Sequence, residues 1–139
     1  MREKMTTSTK TGHLRVMIIE DNPLIALDLQ LQIEDFGHVF AGRHARSSSV
    51  VEGVAATGPD VALVDLYLAD GRTGALVVHE LNKIGVPSIV VSGELRHHIE
   101  LPEAIAVLEK PVDAGLLEAA LEKVAQNLQA HSPNPTRDK

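Results

Sequence analysis

An α/β fold built on a mainly parallel sheet is predicted by two features of the sequence. Five short apolar runs are spaced along the chain, and helical patterns separate them. The runs are Val16–Ile19, Val39–Ala41, Val61–Val64, Ile89–Val91 and Ala104–Leu108. Short unbroken runs of this kind suit strands buried on both faces. The second run is half polar and reads as an edge strand.

Between the first two runs, Ile25, Leu29, Ile33 and Phe36 share one helical face over residues 23–36. Asn22 is placed to cap that helix, Pro23 suits its first position, and Gly37 follows its end. Residues 48–56 form a weaker helix that stops at Gly58-Pro59. In residues 74–84, Val77, Leu81 and Ile84 share a face, and Gly85 ends the pattern. Residues 114–128 place Leu117, Ala120, Leu121, Val124 and Leu128 on one stripe. Residues 1–12 and 130–139 lack periodicity and are expected to be disordered tails around a domain spanning residues 13–129.

Composition narrows the function. The chain has 139 residues and a net charge of −6. A nucleic-acid binder would instead carry a basic face to neutralise phosphates. Phe36, Phe40 and Tyr67 are the whole aromatic complement, too few for a base-stacking platform. The absence of cysteine removes disulfides, thiolate metal sites and cysteine nucleophiles. No apolar run is long enough to span a membrane, and the polar N-terminus is unlike a signal peptide, so a cytoplasmic location is expected.

In open parallel sheets, ligands bind beyond the carboxyl ends of the strands. The first run ends in Glu20-Asp21, the third in Asp65, the fourth in Ser92 and the fifth in Lys110-Pro111, while the second ends only in Gly42-Arg43. Each residue alone is an ordinary turn or loop residue. Together they form a set with one chemistry. Three close carboxylates repel one another and raise at least one pKa, and a hard divalent cation such as magnesium relieves this. A lysine and a hydroxyl opposite leave room for a phosphoryl group, which one carboxylate could accept as an aspartyl phosphate. A flavin site would need a Ser/Thr/Gly-rich loop where Glu20-Asp21-Asn22-Pro23 stands, and no G-x-G-x-x-G motif is present. A phosphatase of the haloacid dehalogenase type wants a second acid where Tyr67 stands. The seven histidines are scattered, and the adjacent pair His97-His98 reads as surface.

The segments VMIIEDNP, VALVDLYLADGRTG, IVVSGE and VLEKP, in that order, resemble the receiver domains of two-component response regulators over about residues 13–129. The resemblance implies a flavodoxin-like, doubly wound, five-stranded parallel sheet in order 2-1-3-4-5 with helices on both faces. It further implies that Asp65 is the phosphoacceptor. Magnesium would be held by Asp21, Asp65 and the Tyr67 backbone carbonyl, with Glu20 holding the metal through water. Ser92 would contact the phosphoryl group, Lys110 would pair with it, Gly93 would leave a path for the donor, and the Lys110–Pro111 bond would be cis. The implied donor is a histidine kinase or histidine phosphotransfer protein. The protein would catalyse only its own phosphorylation and dephosphorylation.

Three departures bear on output. Ala69 stands where proline is frequent. Val107 stands where the family usually has Tyr or Phe, so a ring rotation cannot report phosphorylation. Only 17 residues separate Ser92 from Lys110, so the fourth helix, roughly Leu95–Glu100, is expected to be short or missing. No effector domain is expected after residue 129. Output is therefore expected through an unknown protein partner or onward phosphotransfer, by reordering of residues 93–103 with Leu95, Ile99 and Leu101 as apolar anchors. The alternative is a receiver-fold interaction module that works without phosphorylation.

Overall fold

The computed structural model describes residues 13–93 and 101–131. Its strands are β1 (Arg15–Ile19), β2 (Val39–His44), β3 (Val61–Val64), β4 (Ser88–Ser92) and β5 (Ala106–Glu109). Four α-helices lie among the described residues: α1 (Pro23–Asp35), α2 (Val50–Thr57), α3 (Gly74–Lys83) and α4 (Ala114–His131). All strand pairs are parallel, in the order β2-β1-β3-β4-β5.

The sheet is coated on both faces because its central strands are apolar at successive positions. Val16 and Ile18 of β1 face a core with Leu29 and Ile33 of α1 and Leu117, Leu121 and Val124 of α4. Met17 and Ile19 face the opposite core, built with Val50 of α2 and Val77, Val78 and Leu81 of α3. This two-sided burial is what unbroken Val/Ile runs predict. The α1 cap is as expected: the Asn22 side chain accepts from Leu24 N–H and Ile25 N–H, and Pro23 opens the helix.

The structure corrects several boundaries. β2 is the expected edge strand but continues past Ala41 to His44, because a bulge interrupts its pattern. Gly42 has φ +105°, and the register steps from Val16↔Phe40 to Ile18↔Arg43, leaving one extra residue in β2. β5 is the other edge, so it is not buried on both faces; Val107 and Glu109 are exposed. Ile84 and Leu128 are exposed, since each lies near a helix end beyond the sheet contact. α4 runs through His131, two residues past the domain boundary expected from the sequence. Leu101, expected as an apolar anchor of a partner surface, is half-buried and packs against the core under α2 and α3. The segment Leu95–Glu100, where the fourth helix is expected to be short or missing, falls outside the described residues with Leu95, Ile99 and His97-His98, as do residues 1–12 and 132–139.

Candidate functional site

Parallel register delivers the polar strand-end residues to one edge. Ile19 of β1 is opposite Val64 of β3, so Glu20 and Asp65 leave the sheet side by side, tied by Asp65 N–H donating to the Ile19 carbonyl at 2.9 Å. On the other side, Ser92 closes β4 opposite Glu109, and Lys110 N–H donates to the Ser92 carbonyl at 3.0 Å. The Lys110–Pro111 peptide is cis.

The Lys110 ammonium bridges two carboxylates, at 2.8 Å from Glu20 Oε1 and 2.9 Å from Asp65 Oδ2. Glu20 and Asp65 are only 2% and 7% exposed, so both charges are largely withdrawn from water. Burial pushes the Glu20 carboxyl above the usual carboxylate range, against the lowering effect of Lys110. The expectation that crowding of like charge would raise a pKa is thus met in direction, but burial outranks the repulsion from Asp65 as the cause. For Lys110, burial works downward, yet the hydrogen bonds to Glu20 and Asp65 outweigh it and hold the amine above its ordinary value.

Asp21 completes the acidic cluster. One carboxylate oxygen each from Glu20, Asp21 and Asp65 lie within 4.8 Å of one another. Asp21 is exposed, and its carboxylate takes no ion pair among the described residues. An oxygen-only donor set with one unpartnered acid at its mouth is the kind a hard divalent cation takes. Tyr67 lies in the same loop as Asp65 and donates its N–H to Asp65 Oδ1 at 3.3 Å. Its half-buried ring lies under the Arg72 guanidinium, 5.2 Å from the centroid. Ser92 is fully buried at the sheet edge, and beside it a Cβ on Gly93 would meet nothing within 4 Å among the described residues.

Two supporting residues are not evident from the sequence. A Cβ at Gly74 would lie 2.1 Å from the Asp65 carbonyl oxygen and 2.4 Å from Leu66 Cα, so α3 begins in contact with the backbone that carries Asp65. Asp70 accepts from Ser47 N–H, Ser47 Oγ and Thr73 Oγ1, and these bonds push its carboxyl down to about 2. With Ala69 N–H donating to the Ala45 carbonyl at 2.8 Å, they fasten the loop after Asp65 to the connection between β2 and α2. The signals in the sequence are slight: a glycine at a helix start and an acid before Gly71.

A parallel sheet in this order, with acids after β1 and β3, a hydroxyl closing β4 and a lysine after β5, makes the chain a receiver domain of the response-regulator class. The particular likeness is to PhyR. The phyllosphere-induced regulator PhyR of Methylorubrum extorquens is 31% identical over 127 residues, covering 84% of this chain and 48% of that protein. The solution structure of the PhyR response regulator REC domain of Erythrobacter litoralis has a TM-score of 0.73 and 29% identity, covering 90% of this chain and 98% of that one. A protein-glutamate methylesterase/protein-glutamine glutaminase of Geobacter metallireducens is 32% identical over 108 residues, 76% of this chain and 29% of that protein. The chain thus spans about half or less of the curated relatives it matches. No protein-family model matches the sequence. Among the described residues, no helix is long and apolar enough to cross a membrane.

Proposed function

We propose that the protein is a response regulator whose Asp65 accepts a phosphoryl group from the phosphohistidine of a histidine kinase or histidine phosphotransfer protein. The observation that carries this reading is the Lys110 ammonium bridging Glu20 and Asp65 beside the exposed carboxylate of Asp21. In the reaction, an Asp65 carboxylate oxygen attacks phosphorus in line. The P–O bond to Asp65 forms as the P–N bond to the donor imidazole breaks, and the imidazole leaves with a proton. Lys110 stays charged and draws a phosphoryl oxygen, while the Ser92 hydroxyl donates to another. Glu20, Asp21, Asp65 and the Tyr67 backbone carbonyl are the residues that would hold magnesium. When bound, magnesium neutralises charge on the transferring group. Output passes to a protein partner or by onward phosphotransfer, in the cytoplasm, without turnover of a separate substrate.

Treatment with acetyl phosphate and magnesium is expected to give a hydroxylamine-labile label that chelation of the metal prevents. A protein left unlabelled at saturating donor overturns the reading and favours an interaction module independent of phosphate.

A further inference from the structure

Arg43 reaches the acidic turn from β2, the strand that carries none of its acids. Its Nε donates to the Glu20 carbonyl at 3.0 Å, and its Nη2 donates to the Asp21 carbonyl at 2.9 Å. The next residue, His44, accepts the Glu20 N–H through its own carbonyl at 2.9 Å. Asn22 N–H closes the turn onto Glu20 Oε2 at 3.1 Å. The backbone that aims the Glu20 and Asp21 carboxylates is therefore held largely from the end of β2.

The bulge accounts for this reach. Successive side chains on a strand alternate between faces, so one extra residue reverses the facing of those beyond it. Gly42, at φ +105°, supplies the extra residue just before Arg43. Only glycine takes that conformation at little cost. The planar guanidinium then spans two adjacent carbonyls with two N–H groups held in a fixed fork, a geometry that the compact lysine ammonium on its flexible stem does not reproduce.

We propose that Arg43 is a positioning residue for the metal site: its fork on the Glu20 and Asp21 carbonyls sets the spacing of the carboxylates that receive the divalent cation. This rests on the reading of Glu20, Asp21 and Asp65 as a magnesium site. Geometry and charge predict opposite signs here. As a mere positive charge near the site, Arg43 would repel magnesium, and its removal would tighten binding. As a positioning residue, its loss weakens binding. Arg43 is exposed, so replacing it opens no cavity in the core.

The test is magnesium titration of the full chain by calorimetry, comparing wild type, Arg43→Lys and Arg43→Ala, with melting temperatures recorded for each. Arg43→Lys keeps the charge and loses the fork. It is expected to weaken magnesium binding by about tenfold, the low end for groups that orient metal ligands. Arg43→Ala is expected to weaken it at least as much. Arg43→Lys matching wild type, or Arg43→Ala binding more tightly, overturns the proposal while leaving the magnesium site intact. Wild type that shows no saturable magnesium binding overturns the site and the proposal together. Should Arg43→Ala fail to fold, the Arg43→Lys comparison alone decides.

Discussion

Replacing Gly74 by alanine perturbs the site through one atom. The added Cβ would stand 2.1 Å from the Asp65 carbonyl oxygen, 2.4 Å from Leu66 Cα and 2.8 Å from the Asp65 carbonyl carbon. All three are backbone atoms, so no flexible side chain can swing away. Ordinary contact requires a displacement of roughly 1 Å between α3 and the end of β3. Overpacking a tight site costs about 1–3 kcal/mol, and backbone neighbours place this case at the upper end. Gly74 is the first residue of α3, where the interior helix propensity of alanine does not apply, so the net loss is about 2–3 kcal/mol. Gly115 in α4 is the control: its Cβ would meet only the Asp113 carboxylate, at 3.2 Å. That oxygen also accepts from the Leu116 N–H at 3.1 Å, so the side chain must shift slightly, and Gly115→Ala is expected to change stability by less than about 1 kcal/mol. Urea unfolding of both variants gives the free energies directly, and magnesium affinity should fall in Gly74→Ala alone. Equal stability of Gly74→Ala and wild type, or a loss at Gly115 as large as that at Gly74, would refute the packing argument.

Other consequences follow from the charges. Lys110→Ala leaves Glu20 and Asp65 facing each other without a cation; partial exposure of Lys110 reduces the cost below that of a fully buried pair, to about 2 kcal/mol. Magnesium should narrow that gap in thermal melts, and phosphorylation should persist without its usual conformational change by NMR. Because the Glu20 carboxyl is raised in the folded state, the native protein binds its proton more tightly than the unfolded chain does. This contribution favours folding at low pH and is lost as pH rises from the ordinary glutamate value through the raised one. Glu20→Gln should flatten that part of the stability profile measured by denaturant titration, while weakening magnesium binding. Asp70 behaves oppositely: its carboxyl, held at about 2, supports folding above the ordinary aspartate value and loses that effect as pH falls through about 2. Carboxyl NMR should find its midpoint there, shifted upward in Ser47→Ala.

Much of the site is legible because strand ends are marked twice, by the last apolar residue and by the first polar one. Ile19 before Glu20-Asp21 and Val64 before Asp65 show this, and parallel register does the rest. The α1 boundary is equally plain, since Asn22-Pro23 combines a side-chain acceptor with a residue that needs no N–H partner. What sequence cannot show is an interaction whose partner is a carbonyl, because every residue has one. Arg43, Asp70 and Gly74 all act on backbone or on short polar side chains distant in sequence. The end of β2 is missed for a related reason: the bulge at Gly42 breaks the alternation by which a strand is recognised. The rank of burial over repulsion at Glu20 depends on how deeply the sheet edge is covered, a property of packing rather than of local sequence.

The central claim is that Asp65 takes the phosphoryl group. Intact mass spectrometry of wild type, Asp65→Asn and Asp21→Ala, each treated with acetyl phosphate with and without magnesium, tests it most directly. Wild type should gain a single phosphoryl group only with magnesium, Asp21→Ala should gain it slowly, and Asp65→Asn should gain none. Magnesium-dependent phosphoryl mass on Asp65→Asn, at the rate of wild type, would contradict the account.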